Sequence, residues 1–540
     1  MKFLKYTISF FILLIFLTLI YKPLTFKSSS SLSHLQELIG AIHIHSNLSD
    51  GRLSPEKIAE DARKSGLDFV ILTDHGNPNL EVIEREGIIK GVAIISGSEI
   101  SLFDGTLLAI GIEKPSYKIS PVIEEAIDDI KELGGVSIVP HPERNKEKIS
   151  EFYLKGVNGT EIIDLDDEIR KKSFFRIFKA LLIFPINSRF SLLTLVDNPE
   201  DEIRKWDEGL KIGKIWGLYG LNVHGRVWIF PFSYTKIFNL MRIHIPIENR
   251  KPNNFIDLKR VIIKSLMNGK FFSSIDGAGD SRGFRFYLSK REKRIEMGED
   301  GEPGSYLHLE LPYKTNFQAI ILRNGKVFSS TNSKNFQIKV DKEGIYRVEV
   351  YLLNNPALNR NVPWILSNPI FVGVKKNLWV KEERWKKVPL FDFKELVPEN
   401  DQSSEGKIEI SESFLSWNYK LGFSSSSRPH VWCALAVRKN FSFEGFRGIG
   451  IEAKGLPQAR VWVQIRDKVD KGERWWSASL KVKEEYREKL FQWNDFKLVK
   501  GEGGKLDLKK VEGIFLIIDR GSMGEGTRGN IKIRSIFAIK

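Results

Sequence analysis

The sequence predicts an α/β region followed by two β-sandwiches, and three observations carry that reading. Between 38 and about 285, apolar strand-like runs alternate with amphipathic helical runs, the pattern of parallel strands joined by crossover helices. From about 300, short strands recur between turn residues and the helical runs stop. The length, 540 residues, makes about three domains, each able to bury a core of its own.

Taken in chain order, Lys2 and Lys5 precede an uncharged apolar run, residues 6–21, closed by Lys22 and Pro23. A membrane span wants about 20 residues. The run is read as an uncleaved N-terminal membrane anchor, with a cleaved signal peptide as the alternative. Residues 1–37 then form anchor and linker, and the body lies outside the cytoplasm, at the cell membrane or secreted. "IGAIHIHS" is a strand. "SPEKIAEDARKSG" is a helix that Ser54 caps, Pro55 opens and Gly66 ends. "LDFVILTDH", "VAIISGSEIS" and "TLLAIGI" are strands, "PVIEEAIDDIKELGG" is a helix with a glycine stop, and "VSIVPHP" is a strand. These belong to a first domain, 38–290. The run 170–196 is apolar with Lys/Arg flanks and is read as packing on that domain, with contact to lipid as the second reading.

"SYLHLELPY", "FQAIILRNGKVFSS" and "FQIKVDKEGIYRVEVYLL" form a small sandwich, 291–375, with Asn324-Gly325 a hairpin signal. After a linker, strands such as "GIGIEAKG", "ARVWVQIRD" and "VEGIFLIID" form a larger jelly-roll sandwich, 385–540. Trp462, Trp475 and Trp476 lie on its strands, where aromatics either fill a core or stack on a sugar.

Composition narrows the chemistry. Cys433 is the single cysteine, which excludes an intramolecular disulfide and a zinc–thiolate cluster. Any metal site must use His, Asp and Glu. The net charge is +15, but the basic residues are scattered, and that argues against nucleic acid as a partner.

Residues two apart on a strand face one side, so His43 and His45 point together. Alone, that pair is a weak signal. Asp50 follows on the next loop. Asp74 and His75 end the next strand, Glu99 another, His141 another, and Asn222 and His224 another. Charged groups at the ends of buried strands are costly without partners or a role. Of nine histidines, five fall at strand ends in this region, which turns a weak metal signal into a strong one.

In that order, "HIHSNLSDG", "LTDHG", "GSEIS", "VPHPE" and "NVHG" resemble the PHP (polymerase and histidinol phosphatase) domain family, over 39–285. The resemblance implies a distorted (β/α)7 barrel that binds two or three divalent ions, zinc, manganese or iron, and mostly hydrolyses phosphoesters with a metal-bound hydroxide. It implies His43, His45 and His224 on one metal, Glu99 bridging, and Asp50, His75 and His141 on the others, with Asn222 beside them. Asp74 would orient a ligand from behind. Two positions depart: Asn222 stands where the family usually has aspartate, and Thr106 where tail-bearing relatives commonly have histidine. Both bear on the third metal. The arrangement after the barrel resembles the tail-bearing subfamily, with an immunoglobulin-like module behind the barrel, some of whose members cleave carbamate or carboxylic esters. The last segment resembles galactose-binding-like jelly rolls.

The expected catalyst is a metal-dependent hydrolase of small-molecule esters. His75 or His141 would supply a proton, and Arg144 and Arg226 would bind oxyanions. The alternatives are a carboxylic or carbamate ester hydrolase on the same metals and a non-catalytic surface binding protein on a decayed barrel. Expected partners are the ester, the membrane through the N-terminal helix, and carbohydrate through the C-terminal sandwich.

Overall fold

The computed structural model describes residues 9, 12, 36–141, 144, 149–225, 233–248, 250–311, 316–374, 385–469 and 472–540. The chain divides into two compact units, residues 1–114 with 121–376, and residues 115–120 with 377–540.

The first unit is mixed α/β. Its leading strands are β1 (Gln36–Ile44), β2 (Phe69–Leu72), β3 (Gly87–Ile89), β4 (Val92–Leu102), β5 (Gly105–Ile110), β6 (Val136–Val139), β7 (Gly159–Asp164), β8 (Trp216–Gly220), β9 (Arg242–Ile247) and β10 (Phe272–Ser274). They lie in one sheet in the order β10-β9-β1-β2-β4-β5-β6-β7-β8, with β3 paired to β4. β2 and β6 are buried at every residue, as strands covered on both faces must be, and this is why they read as unbroken apolar runs. The helix Pro55–Lys64 starts and stops where the sequence indicates. Ser54 accepts a hydrogen bond from the Lys57 amide, and Gly66 follows with a left-handed φ of 73°.

Not every pairing is parallel. β1, β2 and β4 are parallel, and so are β6, β7 and β8. β5 runs antiparallel to both of its neighbours. Phe103 and Asp104 alone join β4 to β5, and a link that short allows a hairpin but no crossover. After β8 the chain returns to β1: the Leu221 amide donates to the Ile42 carbonyl at 3.1 Å, Val223 to His43 at 3.2 Å, and His45 to Val223 at 3.0 Å.

β10 also pairs with Ile365–Ser367, which pairs with Gly344–Leu352. The antiparallel strands beyond 300 therefore continue the sheet of the α/β part. A separate four-stranded sheet holds Arg285–Lys290, Lys293–Glu296, Ser305–Glu310 and Asn335–Val340.

The second unit is a β-sandwich of two six-stranded sheets around one core. Along Ala459–Val469, Val461, Val463 and Ile465 face inward. Trp476 belongs to the core. Trp475 does not, and its ring carries the Arg466 guanidinium at 4.0 Å and the Lys500 ammonium at 3.9 Å. The Trp462 indole donates to Asp519 at 3.0 Å.

The membrane anchor expected at the N-terminus, and the location drawn from it, are corrected. Among the described residues no helix is long and apolar enough to cross a membrane. The longest described helix, Phe255–Asn268, has 14 residues, against about 20 for a span. The run 6–21 lies, apart from Ser9 and Ile12, outside the described residues.

One buried polar group ties β9 and β10 to β1. His244 is fully buried and stacks on Phe272 at 4.8 Å. Its Nε2 is 3.3 Å from Asp276 and 3.1 Å from the Ser281 hydroxyl, and its Nδ1 faces Glu37 at 3.8 Å. Burial opposes the charge on His244, but Asp276 and Glu37 prevail and raise its pKa to about 9. Asp276 is held below its ordinary range against burial by His244 and Arg242. A buried pair that loses one partner costs about 3–5 kcal/mol. Asp276→Asn is therefore expected to destabilise the chain by roughly that amount, read as a shift of the urea-unfolding midpoint. A raised histidine contributes fully below its ordinary 6.5 and fades as pH rises through about 9. A lowered carboxyl contributes above its ordinary 3.8. The gap between wild type and variant should be widest between those two ordinary values and shrink toward alkaline pH.

Candidate metal centre

The ends of the buried strands converge. β1 carries His43 and leads into His45, β2 leads into Asp74 and His75, and β4 carries Glu99. β6 leads into His141, β7 carries Glu161 and Asp164, and β8 leads into Asn222 and His224. Of these, His75, Glu99, His141, Asn222 and His224 line a cavity of about 540 Å3, together with Asp50 and Arg144.

Glu99 is the centre of the arrangement. Its Oε1 lies 2.9 Å from His141 Nε2. Its Oε2 lies 3.4 Å from His43 Nε2, 3.2 Å from His45 Nε2 and 3.7 Å from His75 Nδ1. Asp50 forms a second focus, 3.3 Å from His45 Nδ1, 3.6 Å from His75 Nε2 and 3.4 Å from His224 Nε2. Four ligand-like groups result among the described residues, and two of them gather at these foci. In one, donor atoms of His45, Asp50, His75 and His224 lie within 4.8 Å of one another; in the other, those of His43, Glu99 and His141 do. This grouping differs from the one the family resemblance implies, because His43 stands apart from His45 and His224.

Behind the histidines stand carboxylates that sequence reasoning missed. His43 Nδ1 is hydrogen-bonded to Glu161 at 2.7 Å. His141 Nδ1 is 2.9 Å from Asp164 and 3.6 Å from Asp167. An imidazole that gives one nitrogen to a carboxylate has its tautomer fixed and its other nitrogen turned to the site. For both residues that other nitrogen faces Glu99. The available signal was "GTEIID", an apolar strand, fully buried, that nevertheless contains two acids. Gly220 makes room for this layer, since a Cβ there would collide with the Glu161 carboxylate.

Asp74 holds no ring nitrogen. It accepts hydrogen bonds from the Ser46 amide at 2.7 Å, the Ser46 hydroxyl at 2.8 Å and the Ser49 hydroxyl at 2.7 Å. It therefore shapes the loop that presents Asp50. Gly51 is required in that loop because a Cβ would meet the His45 backbone carbonyl. Asn222 points its amide nitrogen at His141 Nδ1 and Asp164, each at 3.3 Å, and its Oδ1 is buried without a hydrogen bond. Arg144 is bound to Asp167. Thr106 pairs with Ser101 in the β4–β5 hairpin and does not line the cavity. Arg226 lies outside the described residues.

The backbone is bent to achieve this. His43, His141 and Asn222 have φ of 62°, 50° and 46°, a region that costs on the order of 1–3 kcal/mol for residues other than glycine. The pairing of β1 with β2 breaks its register between Ala41 and Ile44. His43 and His45 thus reach Glu99 across an irregular strand end rather than along a regular pleat.

The electrostatics follow from burial and partners. Burial opposes charge on Glu99, but hydrogen bonds with His141 and His43 and the adjacent His45 imidazole hold its carboxyl far below the ordinary range. Burial likewise opposes charge on His43 and His141, yet their carboxylates raise them to about 10 and about 12. His224 goes the other way, down to about 4, through burial and the neighbouring His45. Both His45 nitrogens lie near carboxylates but make no hydrogen bond, and Asp164 and Asp167 each keep a buried oxygen without one. Imidazoles and carboxylates with open lone pairs are the donor set of divalent zinc, manganese or iron, so these residues fit such ions.

No family model matches the chain. Among curated proteins, "Uncharacterized protein MJ1587" of Methanocaldococcus jannaschii is 33% identical over 161 residues, spanning 26% of this chain and 91% of that protein. The chain belongs to that protein's family. Among solved structures, a two-domain protein from Bacteroides vulgatus, described as containing a predicted PHP-like metal-dependent phosphoesterase, is 13% identical with a TM-score of 0.34, over 65% of this chain and 99% of that one. A family 11 carbohydrate-binding module of a Clostridium thermocellum cellulase is 12% identical with a TM-score of 0.24, over 29% of this chain and 96% of that one.

Glu161→Gln should leave the chain folded and weaken its hold on divalent metal by about 10–100-fold, the range for a carboxylate behind a ligating histidine. Zinc competition against a chromogenic chelator measures the affinity, and far-UV circular dichroism reports the fold.

Proposed function

We propose that the first unit is a PHP-type metal-dependent hydrolase that cleaves small-molecule phosphoesters. The observation that carries this reading is Glu99, a buried carboxylate with imidazole nitrogens around both oxygens. The return of the chain from β8 to β1, with its Ile44–Val223 bridge, supports a closed, distorted barrel with the site at its strand ends.

His45, Asp50 and His224 would hold one ion, and His43 and His141 another, with Glu99 shared. When bound, such ions provide Lewis acidity and a nucleophile near neutral pH. The chain's own groups do the rest. Glu161 and Asp164 keep His43 and His141 oriented. His141 is held at 2.9 Å by a carboxylate on each nitrogen, whereas His75 is 47% exposed at the cavity and stands 3.6 and 3.7 Å from Asp50 and Glu99, so His75 would pass a proton to the leaving oxygen. Arg144, half exposed at the rim, binds the oxyanion of the ester.

Metal content and turnover test the reading together. The wild-type chain should retain about two divalent ions and hydrolyse an aryl phosphate, and the His43→Ala/His45→Ala double variant should lose both. Preference for an aryl carboxylic ester would select the ester-hydrolase alternative. No retained metal and no turnover would leave a binding protein on a retired scaffold.

A further inference from the structure

The metal centre does not account for the helix Phe174–Ile183. Its apolar residues were expected to pack on the α/β core. Ala180 and Ile183 do. Phe174, Phe175, Phe178 and Leu182 do not: they are 74%, 81%, 50% and 47% exposed. The Phe174 ring stacks with Phe178 at 6.1 Å and meets Phe175 edge-on at 6.1 Å, so the three rings form one continuous apolar surface. Folded proteins rarely leave such surfaces bare without a use for them.

Counted along the sequence, its own charge is one-sided. Between 169 and 196 every charged residue is basic, namely Arg170, Lys171, Lys172, Arg176, Lys179 and Arg189. Arg170 pairs with Asp166 and Lys171 with Glu168, Lys172 is buried against Glu168 and Asp197, and Arg176 pairs with Asp197. Lys179 is exposed on the aromatic helix itself. A helix with aromatic residues on an outward face, basic residues beside them and no acid is the composition that settles into the headgroup layer of an anionic bilayer. Its 10 residues are too few to span, so it would lie in the interface.

We infer that the Phe174–Phe175–Phe178 face of this helix docks the protein on an anionic lipid surface. This inference stands apart from the hydrolase reading, since it uses neither metal nor turnover.

Sedimentation of the full chain with phosphatidylcholine vesicles, with and without about one-third phosphatidylglycerol, tests it. The Phe174→Ser/Phe175→Ser/Phe178→Ser variant changes only exposed side chains. It should bind the anionic vesicles at least about tenfold more weakly than the wild type. Lys179→Glu should weaken binding to anionic vesicles and leave binding to neutral ones unchanged. A second readout excludes contributions from elsewhere in the chain. Ser173 is exposed and makes no side-chain cap bond, so Ser173→Cys can carry a polarity-sensitive dye, while Cys433 is buried and its thiol is raised to about 11 by that burial. The dye should shift to the blue on anionic vesicles. Equal binding by wild type and triple variant, or no spectral shift, overturns the inference. So does a dimer in light scattering that the triple variant abolishes while vesicles are ignored, because the face would then serve a second copy.

Discussion

Bringing five imidazoles close together, three of them buried, is unfavourable unless negative charge comes with them, and Glu99 is where that charge is focused. The His45 and His224 rings stack at 4.0 Å, and His43 and His141 approach to 5.1 Å. Each charged ring would repel the others strongly at low effective dielectric. Glu99 compensates from the middle, Glu161 and Asp164 from behind and Asp50 from the open side. The strand ends converge because these groups need one another, and the left-handed backbone at three of the positions is tolerated for the same reason.

This division of labour separates the site into two layers. The inner layer, Glu99 and the imidazoles facing it, can exchange protons for cations. The outer layer, Glu161, Asp164 and Asp74, fixes ring orientation and loop shape. Buried charges of this kind contribute specificity of arrangement more than net stability. The apolar positions of the surrounding strands supply the stability that the site spends.

Much of the inner layer was legible in the sequence. Histidines and acids at the close of apolar runs are conspicuous because burial would otherwise exclude them; Asp50, His75, Glu99, His141 and His224 line the cavity, and His43 and His45 stand in the ligand-like groups with them. Glu161 and Asp164 were not legible in the same way. They sit inside one strand without a histidine beside them, and their meaning depends on which strand lies across the site, a long-range fact. The antiparallel β5 was hidden for a simpler reason: strand direction is set by the length of the link, and periodicity does not report it. The exposed phenylalanines of Phe174–Ile183 were misplaced because an apolar pattern says that a face is covered and not what covers it.

The left-handed backbone at residue 222 has a consequence for how this site can change over time. Asparagine, aspartate and histidine are the side chains that accept that conformation most readily. All three strained positions carry one of them: His43, His141 and Asn222. Exchange among these types is therefore cheap for the fold while altering the charge of the cavity. At 222 a single such exchange separates a neutral amide from a carboxylate, with Asp164 and His141 already positioned beside it. The scaffold thus lets the charge of this cavity change by one substitution without rebuilding a strand.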